Sequence, residues 1–476
     1  MDFDLTLIRP EVDEETRKDF FAIWSNLCSR TFTYGKTGDI ESQYPLSISF
    51  LNECLQRTTT SYLIIVIEPL GISFSQDNLT KLLFELKSSK AIMAYSDYSI
   101  QKDDGNLIKK ELIDYQIGSV RDDFDFGPVL AFDVAQFKES LNSAGILKDQ
   151  KYSALYGARL SAALKSLPLH INSTSYTCKD ISTKIEYEKQ FSYVDPKNFE
   201  VQKEMEITFT EYAKKAGFFL APIFSELNLD RESFPVEASV IIPVRNRENT
   251  IKEAAESALN QKTNFPFNVI VVDNHSNDKT TELLESLSKT NKNLHHIIPK
   301  ERDLLIGGCW NKGIDFESCG RFSVQLDSDD LYSSTETLQK IVDIFRKEKC
   351  GAVVGSYKLV NFKLEEIPPG LIDHKEWSWD NGRNNALRIN GLGAPRAIYT
   401  PIARNIRFEN VSYGEDYAMM LAVSRNHQIG RIYESLYLCR RWDGNSDSNL
   451  SMEKINRNNT YKDWIRTREI QARLMK

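Results

Sequence analysis

Three apolar runs of this chain each end in a polar cluster: SVIIPV in Arg245-Asn246-Arg247, FNVIVV in Asp273-Asn274, and RFSVQL in Asp327-Ser328-Asp329-Asp330. Two carboxylates at i and i+2 beyond a buried strand suit a hard divalent cation, which takes oxygen ligands and bridges protein carboxylates to phosphate oxygens. The same spacing suits an acid-lined turn, because Asp is favoured at strand-to-helix junctions. Asp273, ending a second apolar strand, adds weight to the cation reading. Glu415-Asp416 in SYGEDYAMM is either a first-turn pair favoured by the helix dipole or a carboxylate placed to take a proton from a reacting hydroxyl.

The elements that must carry these residues follow from the pattern around them. From about Ser239 onward strand-like and helix-like blocks alternate, which predicts a parallel sheet with helices on both faces. SVIIPV, FNVIVVDN, HHIIP, RFSVQL and AVVGSY read as strands; NTIKEAAESALNQ, DKTTELLESLSK, GGCWNKGIDFES and residues 335–347 read as helices. Ligands of such a sheet bind outside the carboxyl ends of its strands, so the three polar clusters belong to one rim. The first turn, PVRNREN, lacks the glycines of a dinucleotide site, and Gly35-Lys36-Thr37 lacks the earlier glycine of a P-loop because position 30 is Arg30.

Composition narrows the classes further. A chain of 476 residues, 41% hydrophobic and 27% charged, has the profile of two or three folded domains rather than of a disordered protein. With 60 Lys and Arg against 67 Asp and Glu, a net charge of -7 leaves no global basic field for a nucleic-acid backbone. No apolar run approaches membrane-spanning length, and the acidic start MDFDLTLIRPEVDEE lacks the features of a secretory signal, which predicts a cytoplasmic protein. The 7 scattered cysteines contain no C-x-x-C pair, as expected of reduced thiols and not of a zinc or disulfide framework.

SVIIPVRNREN, VIVVDNHSND, GGCWNKGI, QLDSDDLY and YGEDYAM, in this order, resemble the inverting family 2 glycosyltransferases of GT-A fold over roughly residues 237–451. The resemblance implies a nucleotide-diphosphate-sugar donor (UDP by family frequency, with GDP and dTDP as alternatives), Mn2+ or Mg2+, and transfer of the sugar to an acceptor hydroxyl with inversion. It places Pro243, Arg245 and Asn246 beside the nucleotide and gives Asp273 a hydrogen bond from the base. Asp327 and Asp329 match the D-x-D motif, Asp327 near ribose or sugar hydroxyls and Asp329 on the metal. Asp416, preceded by Glu415, matches the base. LCRRWDGNSDSN resembles the element that closes over the diphosphate, with Arg441 toward the phosphates and Arg440 as its competitor. Trp442 stands where some relatives carry a metal-binding His, and is expected to pack on a sugar ring instead. GRNNALRINGLGAPRAIYT falls on the acceptor side, and His374, Trp377 and Trp379 are either a sugar-stacking wall or core aromatics.

The first half echoes the second. SYLIIVIEPL lies over RFSVQLDSDD, and Leu79, Lys81 and Lys90 match Leu338, Lys340 and Lys349 at an offset of 259 residues, which suggests a duplication. At an offset of 260, Ile67 and Pro69 fall on Asp327 and Asp329, so no metal site is expected there. The acids Asp97, Asp122, Asp123 and Asp125 follow the wrong part of the repeat and read as structural or acceptor-organising. The tail 451–476 carries 7 Lys and Arg with 3 Asp and Glu, the pattern of a closing helix or of one that touches a membrane surface.

The chain therefore reads as α/β throughout. A degenerate GT-A-like domain (1–186) precedes a helical connector (187–236), a GT-A domain with a Rossmann-like mixed sheet (237–450) and a C-terminal helix (451–476). The expected activity is metal-dependent, inverting transfer of a hexosyl or N-acetylhexosaminyl group onto a glycan or lipid-linked saccharide, as in polysaccharide biosynthesis, by a cytoplasmic protein with peripheral contact to the inner membrane face. Two rivals stand beside it. A sugar-nucleotide nucleotidyltransferase would open with a glycine-rich loop, and a carbohydrate-binding module with a decayed site would not need the acids at 273, 327, 329 and 416.

Overall fold

The computed structural model describes residues 4–10, 28–35, 38–41, 47–67, 71–102, 104–179, 198–442 and 450–475. Lys36, Thr37 and Pro69 lie outside them. The chain divides into two units, residues 1–219 with 451–476, and residues 220–450.

The first unit is built on strands β1 Leu5–Pro10, β2 Arg30–Gly35, β3 Ile40–Glu41, β4 Tyr62–Val66, β5 Ile72–Phe74, β6 Met93–Gln101, β7 Leu107–Lys110, β8 Val129–Asp133 and β9 Leu169–Lys179. They form one sheet in the order β3-β2-β1-β4-β8-β6-β9-β5, with β7 on β6. Helices α1 Ile48–Arg57, α2 Gln76–Ser89, α3 Val134–Ala144, α4 Ala154–Ala163 and α5 Phe199–Lys215 accompany it.

The second unit has β10 Ala238–Val244, β11 Phe267–Asp273, β12 Leu294–Ile297, β13 Phe322–Gln325, β14 Leu331–Tyr332, β15 Ala352–Val360, β16 Glu366–Ile372, β17 Arg396–Tyr399 and β18 Ile429–Arg440. Its order, β12-β11-β10-β13-β17-β15-β18-β14 with β16 on β15, repeats the first sheet strand for strand. Its helices are α6 Ile251–Leu259, α7 Thr280–Thr290, α8 Ile306–Asp315, α9 Thr337–Glu348, α10 Gly382–Asn385, α11 Thr400–Ile406 and α12 Glu415–Ser424. The offset motifs of the sequence fall on equivalent elements: β4 on β13, and α2 on α9, which end in left-handed Lys90 and Lys349 at φ 59° and 50°.

Strands β12, β11, β10 and β13 are parallel, whereas β17 runs antiparallel between β13 and β15. The sheet is therefore mixed. Val240, Ile241 and Ile242 of β10 and Val269 to Val272 of β11 are fully buried, which is why these strands read as unbroken apolar runs. Val244 of β10 pairs with Asp273 of β11, so the polar residues that follow each strand emerge at the same edge.

The division differs from the expected connector and separate tail. Helix α5 is part of the first unit, residues 220–236 are part of the second, and the tail helix, α13 Met452–Leu474, returns to the first unit. Asp463 of α13 is fully buried and accepts from Ser119 Oγ (2.9 Å), Arg121 Nε (3.2 Å) and Arg466 Nη1 (2.8 Å). Gly118 lies so close that a Cβ there would clash with the Asp463 carbonyl oxygen. Helical spacing marks such a segment as a helix but carries no record of a partner 344 residues away.

This docking generates a stability prediction. Asp463→Ala removes the shared acceptor of two buried guanidiniums and is expected to destabilise the protein by roughly 3–5 kcal/mol, read by chemical denaturation. A loss within experimental error would show that α13 is not held through Asp463.

Candidate active site

The loops after β10 and β11 are tied together by their own polar residues. Asn274 N donates to Val244 O (2.8 Å), Asn246 N to Ser276 Oγ (3.0 Å), Asn277 N to Asn246 Oδ1 (2.9 Å), and Arg247 N to Thr280 Oγ1 (2.8 Å). Asn246 takes φ 54°, a left-handed conformation that Asn tolerates better than most residues. Arg245 beside it is exposed, and Pro243 is half-buried at the end of β10.

Asp273 is turned inward. Its carboxylate accepts from Ser276 N (3.0 Å) and Thr281 Oγ1 (2.6 Å) and lies 3.3 Å from His296 Nε2. Burial alone would raise its pKa, but the donors from His296, Ser276 and Thr281 prevail and hold it at about 2. In this geometry Asp273 is an ionised anchor for the loop that begins α7.

The D-S-D turn is held from β14 and β18. Asp327 N donates to Tyr437 Oη (3.0 Å), Tyr332 Oη donates to Gln325 O (2.9 Å), and Arg440 N donates to Asp330 Oδ1 (2.7 Å). Asp327 also accepts from Gln325 Nε2 at 3.0 Å. Asp329 accepts from Trp442 Nε1 at 3.4 Å and lies 3.8 Å from Arg247 Nε. Burial pushes the Asp327 and Asp330 pKa values up, Asp330 far up, and the neighbouring acids add to both. Arg440 is buried, pairs with Glu253 at 2.7 Å and lies over Phe362, so it secures β18 and faces no open rim. Arg441 is half-buried beyond it.

The acid pair opens α12, after Gly414 at φ 79°. Its seating depends on the glycine pair at the start of α8. A Cβ on Gly307 would overlap Glu409 O; instead Gly307 N donates to Val411 O (3.0 Å) and Leu305 N to Asn410 Oδ1 (2.7 Å). Glu415 is buried, its Oε2 has no hydrogen-bond partner among the described residues, and burial followed by the neighbouring Asp416 pushes its pKa up to about 8. Asp416 Oδ1 accepts from Tyr417 N (2.6 Å), and Oδ2 is ion-paired with Arg396 Nη2.

Arg396 is the residue that sequence reasoning missed. It lies in GLGAPRAIYT, which drew attention for its glycines, yet it begins β17 one residue from the Ala397–Val324 pair, beside the strand that leads to Asp327. Its charge acts on Asp416 and Asp327 together. No local pattern marks it, because its place beside the D-x-D strand depends on the long-range pairing of β17 with β13. The aromatic wall divides: Trp377 and His374 are buried, with His374 Nδ1 2.8 Å from Glu376, whereas Trp379 is 63% exposed.

The structure thus brings Asp327, Asp329, Asp330, Glu415 and Asp416 into mutual electrostatic reach, with Arg396 paired to Asp416, and the D-x-D carboxylates are oxygen donors of the kind a divalent cation takes. Among the described residues no three His, Cys, Asp or Glu are grouped to hold a metal by themselves, so oxygens from a bound anionic ligand would have to complete the set.

Comparison with known proteins bears on this site. Residues 239–411 match the family model described as Glycosyl transferase family 2, which bears out the resemblance read from the motifs; the match stops just short of Glu415. An uncharacterized glycosyltransferase of Haemophilus influenzae is 27% identical over 241 residues, covering 46% of this chain and 72% of that protein. The minor teichoic acid biosynthesis protein GgaB of Bacillus subtilis is 26% identical over 245 residues, 48% of this chain but only 26% of its own length. Among solved structures, S. aureus TarS 1–349 in complex with UDP-GlcNAc aligns with a TM-score of 0.38 at 22% identity, covering 50% of this chain and 72% of that one. The mannosyltransferase PcManGT from Pyrobaculum calidifontis, with GDP-Man and Mn2+, aligns at 0.36 and 15% identity over 52% of this chain and 73% of that one.

The raised Glu415 pKa generates a pH prediction. Its ordinary value is 4.5 and its folded value about 8, so the unfolded chain ionises first and stability falls as pH rises between the two. Glu415→Gln is expected to melt near the parent temperature at pH 4 and above it at pH 8, read by thermal denaturation across that range. A variant less stable than the parent at pH 8 contradicts a neutral, buried Glu415.

Proposed function

We propose that the second unit, which carries a family 2 glycosyltransferase domain, transfers a sugar from a nucleoside-diphosphate donor to an acceptor hydroxyl in one displacement with inversion. The observation that carries this reading is the meeting at one rim of the D-S-D turn and the Asp416 carboxylate, two acid sites from distant parts of the chain with Arg396 between them. Asp416 is the base: it takes the proton of the acceptor hydroxyl as that oxygen attacks the anomeric carbon opposite the leaving diphosphate. Glu415, neutral beside it, keeps a second negative charge away from the attacking oxygen.

On the donor side, Pro243, Arg245 and Asn246 flank the nucleotide, and Asp273 fixes the loop that faces the base. Asp327 accepts from ribose or sugar hydroxyls. Asp329, with Asp327, would hold Mn2+ or Mg2+, whose chemistry is to neutralise charge on the departing diphosphate. Arg441 supplies a further cation to the phosphates, and Trp442, against Asp329, walls the sugar. UDP is the proposed nucleotide and the transferred group is of hexosyl or N-acetylhexosaminyl type. The name of the B. subtilis relative favours a teichoic-acid type of acceptor, within polysaccharide biosynthesis. The proposed setting is the cytoplasmic face of a membrane with peripheral contact; among the described residues no helix is long and apolar enough to cross one.

The first unit is proposed as the degenerate partner. Aligning the paired strands and helix starts of the two sheets sets Ile67 on Asp327, Leu130 on Arg396 and Leu155 on Asp416. It would bind or orient an acceptor without transferring sugar.

Two measurements test these readings. A panel of nucleotide-sugars with Mn2+, Mg2+ or EDTA is expected to show one donor used only with metal, lost in Asp329→Ala. Asp416→Asn should cut transfer by about 10²–10⁴-fold while leaving donor binding in place. No binding or turnover with any donor would move the carbohydrate-binding module to first place. Calorimetric titration of the full chain should find one donor per chain, none after Asp329→Ala; a second donor would refute a degenerate first unit.

A further inference from the structure

We infer that Arg396 is the positioning residue of the transfer reaction, fixing the Asp416 carboxylate on the acceptor side. This rests on the reading of Asp416 as the base. A base of this kind works only if its carboxylate plane is fixed, because a misplacement of about 1 Å can cost on the order of 100-fold in rate. Asp416 is gripped at both oxygens, Oδ1 by Tyr417 N at 2.6 Å and Oδ2 by Arg396 Nη2. A guanidinium offers five N–H donors in a rigid planar fork, so it fixes the orientation of a carboxylate in a way the rotating ammonium of Lys does not.

The fork is itself held. Arg396 begins β17, which is paired on both sides, with β13 and with β15. Its Nη1 donates to the carbonyl of Gly393. Gly393 reaches that position at φ 97°, and a Cβ there would come 2.5 Å from Gly355 O. The G-L-G turn that suggested a backbone approach to a sugar therefore delivers a carbonyl to Arg396. The ionisable groups that surround the guanidinium are Asp416, Asp327, Tyr437 and Glu415.

The duplicated sheet supplies an independent argument. Where the second unit has Asp327, Arg396 and Asp416, the first has Ile67, Leu130 and Leu155, and Leu130 is buried at the same register of the same strand order. The fold therefore forms without a cation at this position. The guanidinium is absent where the two acids are absent, as expected of a group that serves them.

The test uses the full chain with Arg396→Met, Arg396→Lys, Asp416→Asn and the double variant Arg396→Met/Asp416→Asn. Arg396→Met is expected to lower kcat about 100-fold with the donor Kd changed less than about threefold, and Arg396→Lys to recover part of the loss. In the Asp416→Asn background, Arg396→Met should cost less than about twofold, because a residue acting through Asp416 has nothing left to position. If Arg396→Met is too unstable to assay, the double variant lacks the uncompensated carboxylate and, with Arg396→Lys, still reports the kcat and Kd effects. Equal losses with and without Asp416, or a loss of donor affinity that matches the loss of kcat, overturns the inference. A parent that transfers no sugar from any donor sinks the reading of function, whereas an active parent with unimpaired Arg396 variants sinks only this one.

Discussion

Carboxylates brought together out of bulk water repel one another and resist ionisation, and the second unit gathers five of them at one sheet rim. Asp330 and Glu415 show the consequence, both pushed upward by burial and by their acidic neighbours. Such a cluster is tolerated only where backbone donors, a fixed cation or a bound ligand offsets it. The first two are visible here. Arg440 N donates to Asp330, and Arg396 is ion-paired with Asp416.

The scaffold supplies rigidity where that charge is concentrated. Tyr437 and Tyr332 fix the D-S-D turn through hydroxyls that reach the backbone of Asp327 and of Gln325. Gly307 and Gly308 remove side-chain bulk so that residues 409–411 can lie against α8 and set the start of α12. Asp273 illustrates the opposite electrostatic outcome. It is as buried as any of the cluster acids, yet three donors converge on it, so it stays ionised at about 2.

Much of this was legible because it depends on local pattern. Apolar runs that end in Asp273 and Asp327 announce strands whose carboxyl ends share a rim, and the left-handed Lys90 and Lys349 close equivalent helices at the offset read from the sequence. What was not legible depends on long-range pairing. Arg396 stands far along the chain from Asp327, and only the antiparallel register of β17 on β13 brings the two together. Likewise Arg440 and Arg441 are interchangeable in sequence, and strand alternation decides that Arg440 turns inward to Glu253. Trp377 and Trp379 divide in the same way, one buried and one exposed, although the sequence presents them as a pair.

The two units show which demands belong to the fold and which to the chemistry. Both sheets keep the same strand order, and both bury apolar residues along the central parallel strands, so these features suffice for folding. The acids do not recur at the equivalent positions, where Ile67 and Leu155 stand in the first unit. An apolar side chain at such a site relieves the repulsion that burdens the second unit, and nothing in the packing of the first unit requires the charge back. The acids of the second unit are therefore no demand of the fold, which is why the functional reading rests on the second unit alone.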